Sequence, residues 1–130
     1  MIAFLTGRVA AKDERTVTLD VHGVGFRLYV LPRTIAELAI GAETELLTYL
    51  HVREDLLDLY GFATSPERQL FEKLLTVSGV GPKVALTLLG SLSFEQLTGA
   101  IEAGNAATLR SVSGVGSKTA ERIIIDLRGK

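Results

Sequence analysis

Cysteine is absent from the 130 residues, which excludes disulfide staples and thiolate metal sites and fits a reducing compartment. Long apolar runs are absent too. No stretch approaches the roughly 18 residues that span a bilayer, and the first residues show neither the basic flank nor the cleavage site of a secretory leader. The expected address is the cytoplasm, with no membrane partner. An excess of charge of one sign is also lacking, since 14 Lys and Arg face 15 Asp and Glu, a net of −1. That total argues against a nucleic-acid partner, but it hides an asymmetry. Residues 1–64 carry six basic against nine acidic side chains, whereas residues 65–130 carry eight against six. Only the second half leans basic, which gains meaning if its cations sit at a defined site. With 47% hydrophobic and 22% charged residues, the chain has the composition of a globular protein. Two domains of about 65 residues would each be marginal alone, so mutual packing or oligomerisation is expected.

The first half has the period of β-structure. In "TVTLDV" from Thr16, Val17, Leu19 and Val21 alternate with polar residues, the pattern of a half-buried strand. "HGVG" at His22–Gly25 supplies turn glycines, and Phe26, Leu28 and Val30 alternate along the second arm of a hairpin. Upstream, "IAFLTGRVAA" from Ile2 has β composition, with Gly7 where a small barrel bends a long first strand. "ELLTYLHV" from Glu45 and "LLDLYGF" from Leu56 make two further strands. Between the third and fourth strands, "TIAELAIG" predicts a short helix with a Thr34/Glu37 capping box and a terminating Gly41. Three strands, a short helix and two strands give the order of an OB-fold barrel.

The period changes at "TSPERQLFEKLLTV". Thr64 or Ser65 can cap, Pro66 suits the first turn, and Leu70, Phe71, Leu74 and Leu75 share a helical face. Further short helices are expected over 82–89, from Ser93 with Gln96 in capping-box position, over 105–112, and over 117–128. The fold class is therefore α+β in two domains, a β-barrel over residues 1–63 and an all-α domain over 64–130.

"VSGVGPKVA" from Val77 returns as "VSGVGSKTA" from Val112, identical at seven of nine positions with an offset of 35 residues. Each copy lies where one helix ends and the next begins. Two glycines around one apolar residue permit a left-handed turn, with backbone amides left open because no Cβ blocks approach. Val80 or Val115 can anchor the turn from inside. The following helix directs its unpaired N–H groups and positive dipole end to the same point. Lys83 and Lys118 stand in that first turn, where a cation is disfavoured unless an external anion is bound. The pattern suits phosphate, and glycine amides that touch phosphate oxygens hold a nucleic-acid backbone without reading its sequence. "GVGSKT" at Gly114–Thr119 is no P-loop, because Ser117 separates glycine from lysine and the preceding segment is helical.

The paired "SGVGPK" and "SGVGSKTAER" resemble tandem helix-hairpin-helix motifs. Joined to an OB-like half with "VREDLLDLYGF" at Val52–Phe62, they make the whole chain resemble the RuvA family of Holliday-junction-binding subunits. The resemblance implies a homotetramer, alone or paired with a second, that holds a four-way DNA junction open in recombination and repair. By motif match the residues that grip phosphate are Gly79, Gly81, Lys83, Gly114, Gly116, Lys118 and Arg122. It also implies an acidic pin between the last two barrel strands, with Glu54 and Asp55 in the matching positions. Ser117 stands where the family often has a basic residue, which implies a weaker second hairpin. Family members continue into a linker and a small third domain that binds a RuvB-type hexameric ATPase motor, and the 130 residues stop short of it. The subunit itself is expected to be non-catalytic, with no cofactor and no metal.

Other readings stay open at this point. "RED" in a polar loop is also an ordinary solvated turn. Helix-hairpin-helix modules occur in repair enzymes, and Glu54, Asp55 and Asp58 are the clustered acids such an enzyme would use. A single-strand-binding OB module would depend on exposed aromatics such as Tyr29 or Tyr49. His22 and His51 have no neighbouring ligand pattern, and no nucleophile stands beside a base.

Overall fold

The computed structural model describes residues 1–130 and divides them into two compact units, Met1–Arg68 and Gln69–Lys130. The first is built on β1 (Phe4–Lys12), β2 (Thr16–Val21), β3 (Val24–Val30), β4 (Glu43–Arg53) and β5 (Leu56–Phe62). They close into a barrel in the order β1-β2-β3-β5-β4, with β4 returning to β1. Every pairing is antiparallel except β3 with β5. That is the OB arrangement the element order predicts. Alternation decides which side chains enter: Val9, Val17, Leu19, Leu28, Val30 and Leu46 form the core, and Ile35 from α1 (Pro32–Glu37) packs against them.

β1 serves two neighbours, which is how five strands close. Its residues Phe4–Arg8 pair with β4, and Arg8–Lys12 pair with β2, with the register shifting between Val9 and Ala11. The strand must pass very close to β2 where it changes partner. A Cβ on Gly7 would lie 2.5 Å from the Asp20 carbonyl oxygen, well inside contact distance. Next to it the Arg8 guanidinium pairs with the Asp20 carboxylate at 2.9 Å.

Two expectations need correction. The β2–β3 turn is only His22–Gly23, and Val24 and Gly25 already belong to β3. Both turn residues take positive φ, 51° and 90°, as a two-residue hairpin requires, and the Asp20 carboxylate accepts from Gly23 N at 2.8 Å. The Thr34/Glu37 capping box does not form. Pro32 sets the helical φ one turn earlier, Leu31 becomes the N-cap, and Thr34 is buried inside the helix. Gly41 lies beyond the helix end at Leu38, in a turn whose N–H reaches Val9 O.

Helices make up the rest. α2 (Ser65–Leu75) runs from the first unit into the second, and Thr64 Oγ1 caps it by accepting from Glu67 N. The others are α3 (Pro82–Ser91), α4 (Phe94–Ala103), α5 (Ala106–Arg110) and α6 (Ser117–Leu127). The Ser93/Gln96 capping box on α4 is complete, and Asn105 caps α5. α5 ends two residues before the expected Val112, whose N–H instead closes a turn onto Leu109 O. No single helix is long and apolar enough to cross a membrane.

Gly7→Ala is expected to cost about 1–3 kcal/mol by forcing β1 away from β2. A chemical denaturation midpoint equal to that of the unsubstituted chain would remove the close approach as the reason for glycine there.

Candidate nucleic-acid interface

The repeated phrase folds twice into one structure. Gly79 and Gly114 take φ of 90° and 88°, the left-handed region that glycine enters without strain. Val80 N bonds to Val77 O, and Val115 N to Val112 O, at 3.0 and 3.1 Å. Val80 and Val115 are 6% and 7% exposed, so each turn is pinned from inside by its valine. Gly81 and Gly116 are then the N-caps of α3 and α6, with φ of −95° and −89°.

The two glycines of each pair answer different needs. The first is required by backbone conformation. The second is not, because extended backbone suits any residue, and a Cβ on Gly81 or Gly116 would meet nothing within 4 Å. Within the chain nothing asks for glycine at these two caps, and neither helix has a side-chain cap. The space on the Cβ side of both caps is therefore open. An external group can come against them at backbone distance.

Charge agrees with this geometry. Neither α3 nor α6 has an acidic residue in its first turn, and Lys83 and Lys118 stand there exposed. Two cations at the positive ends of helix dipoles are unfavourable until an anion arrives. The donor sets differ at one place: Pro82 has no N–H, whereas Ser117 brings an N–H and a hydroxyl.

The helical unit brings the two hairpins together reciprocally. A Cβ on Gly79 would lie 3.5 Å from Thr119 Oγ1, and one on Gly114 would lie 4.0 Å from Val84 Cγ2. Residues 84 and 119 are themselves equivalent positions of the repeat, so each turn sits against the other copy's helix start. Arg122 Nη1 donates to Ser78 Oγ at 3.3 Å, from the second copy to the first. Ser78, Val84 and Thr119 thus contribute to the arrangement. Their only sequence signal is membership of the repeat, since nothing in a linear pattern says the copies face each other.

Glu54 and Asp55 lie in the other unit, as the exposed two-residue turn between β4 and β5. Behind them Arg53 Nε donates to His51 Nε2 at 3.2 Å. Glu54, Asp55 and Asp58 do not converge into a group that could hold a metal ion. Tyr29 stacks on Tyr60 with ring centroids 5.3 Å apart. Burial, with the Asp58 charge as a lesser cause, pushes the Tyr60 hydroxyl up to about 12.

Residues 1–61 match the family described as RuvA N terminal domain, and residues 71–129 match the SAM-like helix-hairpin-helix tandem. The chain is similar over its full length to proteins named Holliday junction branch migration complex subunit RuvA. It is 45% identical to that of Thermobifida fusca and 48% identical to that of Herpetosiphon aurantiacus, covering 64% and 66% of them. With that of Dehalococcoides mccartyi it shares 45% identity and covers 68%. The chain thus spans about two thirds of the length of the curated relatives it matches.

Substitution separates the two kinds of glycine. Gly79→Ala should cost about 1–2 kcal/mol, the penalty of a Cβ in the left-handed region. Gly81→Ala should stay within about 0.5 kcal/mol, because a poorer N-cap is offset by a less flexible unfolded chain. Equal losses in urea denaturation would show that both glycines serve the fold alone.

Proposed function

The chain belongs to the RuvA family, and from that premise we propose that it is the non-catalytic DNA-holding part of a branch-migration subunit, selecting four-way junctions by shape. The observation that carries this reading is the pair of open glycine caps. Two sets of backbone amides at matching positions of the repeat, the first one N–H fewer at Pro82, each beside an unpartnered lysine, suit the phosphodiester backbone of duplex arms. Their contacts fall on phosphate, so affinity is independent of arm sequence.

Gly79, Gly81, Lys83, Gly114, Gly116, Lys118 and Arg122 act as the clamps in this reading. A homotetramer, alone or as one of a facing pair, offers one set of clamps to each arm. The acidic turn supplies discrimination. A carboxylate and a phosphate about 4 Å apart repel by roughly 1 kcal/mol in bulk water and about 4 near a protein surface, before salt screening. An open junction has a central gap that can receive Glu54 and Asp55, whereas continuous duplex across the same surface brings phosphates over them. ATP hydrolysis belongs to a separate motor of the RuvB type, and the cytoplasm is where the complex works.

Titration of a four-way junction, a duplex and a single strand at one ionic strength tests the reading, with the junction expected to bind tightest. Preference for the single strand would favour an OB-type stacking surface around Tyr29 instead. If Lys118 meets one phosphate in each of four subunits, Lys118→Ala should lower the salt slope of junction binding by about 3.6, at about 0.9 per phosphate. An unchanged slope would reduce the second hairpin to a structural turn. Glu54→Gln with Asp55→Asn should raise duplex affinity more than junction affinity. A constant junction-to-duplex ratio in an assembly of unchanged mass would leave the acidic turn without a role in selection.

A further inference from the structure

The strands that form the acidic turn outrun the barrel. Pairing of β1 with β4 ends at Phe4 and Leu47, and pairing of β3 with β5 begins at Leu28 and Leu59. From His51 and Asp58 outward, β4 and β5 pair only with each other, through Val52 with Leu57 and Arg53 with Leu56. The result is a free two-stranded ribbon capped by two carboxylates.

Its two faces differ. Alternation puts Val52 in the row of the core residue Leu46 on β4, and Leu57 in the row of Leu59, which packs on the core from β5, so a core-facing row continues past the point where a core exists. Val52 is 61% and Leu57 69% exposed. Arg53, held to His51, belongs to the opposite face. Two large aliphatic side chains therefore stand together in water directly behind Glu54 and Asp55.

We propose that Val52 and Leu57 lie against the open faces of the bases at the branch point of a bound four-way junction; this rests on the junction reading above and assigns a contact it does not contain. Charge selects this occupant. The carboxylates exclude phosphate from the ribbon end, while base faces are uncharged and apolar. Base edges also carry exocyclic amino groups, to which a carboxylate can act as acceptor. Proteins elsewhere insert apolar side chains between base steps and partly unstack them, so aliphatic groups can take up exposed base faces.

The test uses the full chain and a four-way junction with 2-aminopurine at the branch point, and a second junction with the label in mid-arm. Binding of the unsubstituted chain should raise the branch-point fluorescence and leave the mid-arm signal unchanged. In Val52→Ser with Leu57→Ser the rise should fall about fivefold, as expected for losing two aliphatic contacts, while Val52→Ile with Leu57→Met should restore it. Leu57→Gln alone, at a site exposed enough to leave folding intact, should give an intermediate loss. An equal rise in the serine variant overturns the proposal, and so does a drop in assembly mass, which would place the pair between subunits. If the unsubstituted chain does not prefer junction to duplex, the junction reading fails and takes this one with it. A junction preference with no branch-point signal overturns this proposal alone.

Discussion

Everything at the hairpins depends on one backbone state, the left-handed conformation of Gly79 and Gly114. Within the connections 76–81 and 111–116 it lets the chain reverse in one tight turn, closed by Val80 N on Val77 O and by Val115 N on Val112 O, before the next helix starts. Val80 and Val115 fix the reversal by filling the space beneath it. Only with the turn fixed do the next amides emerge together, at a helix start that has no side-chain cap. The turn is thus a packing feature on its inner side, through its valine, and leads on its outer side to a helix start without a side-chain cap.

Charge is divided along the same lines as the fold. The cations next to open amides belong to the helical unit, and the exposed acidic turn belongs to the barrel. A near-neutral total conceals this, since attraction and repulsion act over a few ångströms and are screened beyond about 10 Å at 0.1 M salt. The exposed cations and the exposed carboxylates therefore reside in different parts of the chain, and each set can change without the other.

Much of this was legible in the sequence. The barrel strands followed from strict alternation such as Val17, Leu19, Val21, and the hairpins from a repeated phrase whose glycines have few uses. The parts that were not legible share a physical cause. Pro32 started α1 ahead of the expected cap, because a fixed φ without an N–H outweighs a side-chain hydrogen bond. His22 took a conformation that His seldom adopts, because the strands on either side left only two residues for the turn. The different duties of Gly79 and Gly81 depend on φ and on empty space, and identical letters carry neither. The exposure of Val52 and Leu57 was hidden for the opposite reason: their alternation is that of a buried strand, and only the strand pairings reveal that the barrel has already ended.

The reciprocal placement of the hairpins bears on how such a unit could arise. Position 79 sits against 119, and 114 against 84, which are the same contact under exchange of the two copies. This is the geometry of an isologous dimer, in which one patch meets itself across a two-fold axis. A single helix-turn-helix segment would leave its glycine turn without a wall and would gain one by pairing with its twin. Tethering the twins in one chain removes the concentration dependence of that pairing. It also releases them from identity: Ser117 can differ from Pro82, and Thr119 from Val84, so the two hairpins need not offer the same groups.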